Sequence, residues 1–261
     1  MNNQSIGVFD SGVGGLSILL ELQKVLTNET FIFVADQAYV PYGRKTKDEL
    51  VDRVGKIMDY FMQQKVKAVV VACNTATVYT IDEMRKKYNV PIIGTVPVIK
   101  VIARMTRTGK TAVFSTPATA KSQYLDDLIK KYAPNIVVEK VGGSNLEELI
   151  ENGGLRSEEI KKRLKFHLLP LVEKGVDVIA LGCTHYPFLK NRIKWIVGSK
   201  VKIVDSGGAV ARRTLEVLTQ EGALSSQKEK DLYYTTGDKK KFMAVATELT
   251  ENVIEAEHMD L

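Results

Sequence analysis

Short β-rich runs alternate with amphipathic helical stretches along this 261-residue chain, and that alternation restricts its fold more than any other feature. Strand-like runs fall at residues 6–9, 31–35, 68–72, 92–95, 111–114, 136–141, 176–180 and 201–204. Most are continuous apolar runs, as expected of strands whose two faces are both covered by helices. Between them lie helical periods. In residues 47–64, Leu50, Val54, Ile57, Met58 and Phe61 recur at helix spacing and form one apolar stripe. Residues 157–174 repeat the pattern with Ile160, Leu164, Leu168 and Leu171; Ser157 is a plausible start, and Pro170 is expected to kink or shorten the helix. The pattern predicts an α/β fold built on mainly parallel sheet flanked by helices.

No low-complexity linker divides the chain, but a weak internal echo does. Val8-Phe9-Asp10-Ser11 resembles Val113-Phe114-Ser115-Thr116, each at a strand end before a helix. Val70-Val71-Ala72-Cys73-Asn74-Thr75 resembles Ile179-Ala180-Leu181-Gly182-Cys183-Thr184-His185, again at a strand end. Taken alone, the echo is equally compatible with the ordinary likeness of strand ends in α/β folds. If it is real, two pseudo-symmetric α/β lobes face each other, with the active site in the cleft and a cysteine at each lip. The expected lobes are residues 1–96 with 208–261, and residues 97–207.

Bulk properties narrow the function. No apolar run approaches the roughly 20 residues of a membrane span. The opening Met1-Asn2-Asn3-Gln4-Ser5 lacks the basic-then-apolar order of a signal peptide, so a cytoplasmic protein is expected. The net charge of +6 raises the question of nucleic acid. The lysines, however, are spread in pairs such as Lys86-Lys87, Lys130-Lys131 and Lys161-Lys162, with Lys239-Lys240-Lys241 the longest run and no interleaved stacking aromatics. They read as solvated surface, and no polyanion partner is required. His167 and His258 fit no cluster, and Trp195 is expected to pack a helix rather than bind a ligand.

Chemistry-bearing residues gather at the strand ends, where open α/β sheets bind ligands. After the first strand comes Asp10-Ser11-Gly12-Val13-Gly14-Gly15. Its glycines allow close backbone approach, yet the spacing fits neither common phosphate loop, and Asp10 would repel phosphate, though a carboxylate ligand held elsewhere by amides stays compatible. Asp36 and then Pro41-Tyr42-Gly43-Arg44 follow the second strand, where turn chemistry by itself explains the proline and glycine. The two cysteines, Cys73 and Cys183, are too few for a metal site with three scattered histidines, and form no C-x-x-C pair. A disulfide is possible by counting, although a reducing cytoplasm argues against it. Each cysteine instead opens a polar cluster at a strand-to-helix junction: Cys73-Asn74-Thr75-Ala76-Thr77, and Gly182-Cys183-Thr184-His185-Tyr186-Pro187. A helix dipole there is expected to lower the thiol pKa. Cys183 with His185 could serve acyl transfer, but that leaves Cys73 without a task.

Two thiols suit inversion at an α-carbon without a cofactor. One base removes a proton, and an acid on the opposite face returns one. Enantiomers are isoenergetic, so the two groups should be near-equivalents. Asp10 and His185 are suited to handle those protons, one beside each thiol.

Here the chain resembles the glutamate racemases of the aspartate/glutamate racemase family, from residue 6 to residue 208. The family's blocks stand as Gly7-Val8-Phe9-Asp10-Ser11-Gly12-Val13-Gly14-Gly15-Leu16, Pro41-Tyr42-Gly43, Ala72-Cys73-Asn74-Thr75-Ala76, Leu181-Gly182-Cys183-Thr184-His185-Tyr186-Pro187 and Asp205-Ser206-Gly207. The resemblance implies Cys73 and Cys183 as catalytic bases, Cys73 acting on D-glutamate and Cys183 on L-glutamate, assisted by Asp10 and His185. It further implies substrate contacts from Asp10, Ser11, Tyr42, Gly43, Asn74, Thr75, Thr119, Thr184 and His185, no metal or cofactor, a homodimer, and supply of D-glutamate for peptidoglycan. Where the family carries Gly-Thr-x-Gly-Thr, this chain reads Ser115-Thr116-Pro117-Ala118-Thr119, keeping both threonines and losing both glycines. Two rivals stay in view. One is the same chemistry on aspartate; the other is a two-lobed amino-acid-binding protein in which the cysteines are incidental.

Overall fold

The computed structural model describes residues 2–261, which form two compact units. One comprises the described residues up to Thr95 together with Gly207–Leu261, and the other is Val96–Ser206.

The first unit holds strands β1 (Ile6–Asp10), β2 (Phe31–Ala35), β3 (Ala68–Val71) and β4 (Ile92–Gly94). The second holds β5 (Lys110–Ser115), β6 (Val137–Gly142), β7 (Val178–Gly182) and β8 (Lys202–Val204). Two more strands, β9 (Leu232–Thr235) and β10 (Glu257–His258), return to the first sheet. The sheet orders are β10-β9-β2-β1-β3-β4 and β6-β5-β7-β8, and every strand pair is parallel.

The internal echo is therefore topological. The first strand of each unit lies centrally, the second on one side, and the third and fourth on the other, so β1 corresponds to β5 and β3 to β7. The two echoed motifs lie at the ends of those corresponding strands.

Strands β1, β2 and β7 are buried along their whole length, as their unbroken apolar runs require. Helix Lys47–Gln63 starts with a capping box between Thr46 and Glu49, and buries Leu50, Val54, Ile57, Met58 and Phe61 against β1 and β3 residues such as Phe9 and Val71. In the second unit, Ile99, Ile102, Val113, Leu125, Val178 and Ala180 make the corresponding core.

Several expectations are corrected. Strands β9 and β10 stand beside the eight expected: β9 is only four residues long and begins on exposed Leu232, and both residues of β10 are exposed. Pro170 does not end its helix, which runs from Glu158 to Glu173 with Ser157 as its cap; the proline sits in the last turn, where little helix remains to interrupt. Trp195 is 69% exposed rather than packed, with the Lys161 and Lys165 ammonium groups 5.8 and 5.5 Å from its ring centre. Among the described residues no helix is long and apolar enough to cross a membrane.

Candidate active site

Each unit carries one cluster of candidate residues, at the carboxyl end of its sheet. In the first unit, β3 ends at Val71 and the chain turns through Ala72 into helix Asn74–Lys87, with Cys73 as N-cap. Its sulfur accepts from the Ala76 amide at 3.5 Å, and its thiol donates toward the Ser11 hydroxyl at 3.7 Å. Asp10, fully buried at the end of neighbouring β1, accepts from the Ser11 amide at 2.8 Å. Asn74 and Thr75 occupy the first helical turn and are buried beside the thiol.

Burial pushes the Cys73 thiol well up, the Asp10 carboxylate adds to the rise, and the opposing Ala76 and Ser11 hydrogen bonds are weaker. The helix terminus thus fails to lower this pKa, contrary to the sequence expectation: one sulfur–amide contact does not offset complete desolvation next to a carboxylate. In this state Cys73 is a thiol.

Tyr42 is buried too, in a short 3-10 turn (Tyr42–Arg44) in which Gly43 is exposed. Its hydroxyl donates to Asp36 at 2.7 Å. Burial, followed by the Asp36 charge, keeps the phenol protonated. Asp36 is more than a turn residue. It also accepts from Arg53 at 2.9 and 2.6 Å and from the Thr236 hydroxyl at 2.8 Å, which fixes the Tyr42 turn to the strand-end surface. Two buried oxygens in the first unit, Asn74 Oδ1 and Thr95 Oγ1, make no hydrogen bond within the protein. The Asn74 amide nitrogen donates to the Thr95 carbonyl at 3.3 Å, and native proteins leave such side-chain oxygens unpaired mainly where a ligand or water completes them.

In the second unit, β7 ends at Gly182, and Cys183 follows at the position corresponding to Cys73. Its sulfur lies 3.7 Å from Nδ1 of His185, whose Nε2 lies 2.6 Å from Oε1 of Glu151. Thr184 is buried between them in sequence. Burial raises the Cys183 thiol, against a lowering pull from His185. For His185, burial favours the neutral ring, but the cysteine sulfur and the Glu151 carboxylate outweigh it and raise the imidazole well above its usual range. The cluster is therefore a thiol, an imidazolium and a carboxylate linked through the two ring nitrogens of His185.

The altered threonine segment folds as a short helix, Pro117–Ala120, capped by the Thr116 hydroxyl with proline at its first position. Thr119 is fully buried and its Oγ1 accepts from Thr116 at 3.1 Å. Capping and proline thus replace the lost glycines with a locally stable turn.

Of the residues expected to contact substrate, the structure places Asp10, Ser11, Asn74 and Thr75 in the Cys73 cluster, and Thr184 and His185 in the Cys183 cluster. Sequence reading missed Glu151, Arg53 and Thr95. The run Leu146-Glu147-Glu148-Leu149-Ile150-Glu151 reads as an ordinary amphipathic stretch, and only the spacing of its glutamates one turn apart hinted at a shared face. Among the described residues, no three His, Cys, Asp or Glu side chains gather as a metal-binding group.

Gly15 shows how tightly the first cluster is built. A Cβ there would sit 2.5 Å from the Asp10 Cβ, 3.0 Å from the Phe33 ring and 3.3 Å from the Ala72 Cβ. Gly15→Ala is expected to cost about 1–3 kcal/mol of stability by overpacking. By displacing Asp10 it should also slow turnover about 10²-fold. Thermal unfolding and a rate assay on the same variant check both effects.

The comparisons with known proteins agree with this picture. The profile of the Asp/Glu/hydantoin racemases matches residues 15–214, and the chain belongs to that family. It is accordingly an isomerase of the racemase class. Among its relatives is the glutamate racemase of Pseudomonas syringae pv. tomato, 40% identical over 89% of this chain and 85% of the relative. The crystal structure of a glutamate racemase isoform from Bacillus anthracis superposes with a TM-score of 0.91 at 30% identity, covering 100% of this chain and 99% of that one. The Escherichia coli glutamate racemase, solved with L-glutamate and the activator UDP-MurNAc-Ala, gives a TM-score of 0.86 at 30% identity, covering 98% of this chain and 97% of that one.

Proposed function

We propose that this chain interconverts L- and D-glutamate by two-base proton transfer at Cα, with Cys73 and Cys183 as the bases. The observation that carries the reading is the pairing of equivalents: two buried, free thiols at the ends of corresponding strands, each with its own ionisable neighbour. A racemase working on isoenergetic enantiomers needs such near-equivalent groups, and neither an acyl-transfer enzyme nor a binding protein does. Glutamate as substrate rests on the relatives and on the Escherichia coli structure, which holds L-glutamate.

In the L-to-D direction, the Cys183 thiolate takes the Cα proton while the Cys73 thiol protonates the opposite face; in the reverse direction the roles exchange. Asp10 and His185 balance charge at their respective sulfurs. Tyr42, Gly43, Ser11 and Thr119 are proposed to hold the side-chain end of the substrate, and Asn74, Thr75 and Thr184 its α-substituents. The first-turn amides of helix Asn74–Lys87 offer donors to the charge that builds on the α-carboxylate as the proton leaves. The lobes expected at 1–96 with 208–261 and at 97–207 would each supply one thiol. We further propose a cytoplasmic homodimer that supplies D-glutamate for peptidoglycan.

Circular dichroism of purified, reduced protein with L-glutamate in heavy water tests the reading. The signal should decay to zero, with solvent deuterium entering the product and the remaining substrate staying largely unlabelled at early times. Decay with L-aspartate alone moves the assignment to the aspartate activity. Early, equal labelling of both enantiomers contradicts two bases.

A further inference from the structure

Two helices of the second unit, Glu158–Glu173 and Lys190–Val197, pack against each other and are apolar on their outer face as well as toward the core. Ile160, Leu164, Leu168 and Leu171 of the first and Ile193 and Val197 of the second are buried, as a helix flanking a sheet requires. Phe166 is nonetheless 76% exposed and Trp195 69%, and Leu169 and Val172 are exposed as well. Phe166, Leu169 and Val172 follow at intervals of three and make one outward band. The Lys165 ammonium stands 5.5 Å from the centre of the Trp195 ring, which sets that ring alongside the same helix. Single exposed apolar residues are ordinary, whereas a group of them on two adjoining helices marks an interaction surface.

The charge here says what kind of partner fits. The two helices hold seven Lys and Arg against three Glu. Glu158 and Glu159 are already taken up, by Lys161 at 3.2 Å and Arg163 at 2.6 Å. Lys162, Lys165 and Lys194 are exposed, and among the described residues they form no ion pair. A cleft of about 350 Å³ opens beside Trp195 between Lys161, Arg192 and Glu158. A second copy of the chain fits this face poorly, because a two-fold contact sets a patch against its own image, lysine against lysine. Nucleic acid could stack on the two aromatic rings, but Leu169 and Val172 offer it nothing. Aromatic and aliphatic side chains ringed by unpaired lysines match the boundary between lipid headgroups and acyl chains.

We propose that this face docks the protein reversibly on an anionic lipid bilayer. Phe166, Leu169 and Trp195 enter the headgroup boundary, and Lys162, Lys165 and Lys194 reach out to lipid phosphates with their stems lying along the apolar band. None of these residues belongs to the clusters around Cys73 and Cys183, so docking leaves the chemistry of those clusters untouched.

Trp195 is the only tryptophan of the chain, so its fluorescence reports this face alone. The full chain is mixed with vesicles of phosphatidylglycerol or of phosphatidylcholine, and binding is read by co-sedimentation and by the Trp195 emission. With phosphatidylglycerol the protein should pellet and the emission should move to shorter wavelength; phosphatidylcholine should do neither, and high salt should release the protein. Changing Lys162, Lys165 and Lys194 together to Gln should weaken binding about 100-fold, at roughly fivefold per cation. Phe166→Ser should weaken it about tenfold. All four side chains are exposed, so folding and racemisation in solution should be unchanged in both variants. An emission that does not move with phosphatidylglycerol, equal binding to phosphatidylcholine, or binding that survives the triple change overturns the proposal. An emission shift that grows with protein concentration without lipid would assign the face to a second copy. Quenching by single-stranded DNA with no response to vesicles would assign it to nucleic acid, and either result overturns the lipid reading.

Discussion

Cys73→Ala and Cys183→Ala are each expected to lower racemisation by roughly 10³- to 10⁴-fold, the upper range for loss of a general acid–base group. Folding should survive both changes. The cysteines are small buried side chains, and Cys73 contributes only one sulfur–amide contact to its helix cap. The loss should be symmetric in kcat/KM, because the equilibrium constant between enantiomers is one and any change in one direction must appear equally in the other. Isotope exchange is where the variants separate. With Cys183 removed, Cys73 should still exchange the α-proton of D-glutamate, and with Cys73 removed, Cys183 should exchange that of L-glutamate. Wild-type turnover in either variant, or exchange of the same enantiomer by both, would falsify the two-base assignment.

The second large effect is expected at Glu151, which touches no sulfur and stood out in no motif. Its carboxylate lies 2.6 Å from His185 and is one of the two groups that hold the ring protonated against the cost of burial. Glu151→Gln removes that charge, so the imidazole pKa falls and the proton is lost at lower pH. Cys183 then loses its cationic neighbour just where its thiolate has to form. We expect kcat/KM to drop about 10²-fold near neutral pH. The sign of the pH shift follows from the same balance. A raised histidine stays cationic up to its folded pKa, so losing the carboxylate that helps raise it should move the alkaline limb of the variant's profile to lower pH. A pH–rate profile with both limbs unmoved would mean that Glu151 only supports the loop. A buried carboxylate stripped of its partner is costly as well, so His185→Asn should destabilise the second unit more than Glu151→Gln does.

Much of this protein could be read from the chain itself. Eight strands were located to within about two residues, most of them by unbroken apolar runs, because strands covered on both faces must be apolar throughout; Val137–Gly142, with Glu139 and Lys140 in it, is partly exposed. The stripe Leu50, Val54, Ile57, Met58 and Phe61 located its helix, because a helix buries one face at a period of 3.6. Cys73 and Cys183 stood out because both sit in polar clusters where an apolar strand gives way to a helix or turn. The echo between them, ambiguous as a string of letters, became a repeated strand order once the pairings were known.

What stayed hidden depends on chain segments that meet only after folding. Asp36 looks like a turn residue until Arg53 and Thr236, 17 and 200 positions away, donate to it and tie down Tyr42. Glu147 and Glu151 look like solvated charges; only the tertiary packing around Leu146 withdraws them from water and sets Glu151 against His185. Strand β9 gains its identity from pairing along β2, and β10 from pairing along β9, not from their own residues. The thiols show the division most clearly. Local sequence put each at a helix or turn start and suggested an easily ionised sulfur, whereas burial beside carboxylates raises both. Hydrophobic pattern is a local property and survives in one dimension, so it determined the elements and the places where chemistry could sit. Desolvation and charge pairing depend on distance in space, so only the tertiary structure decided which protons those residues hold.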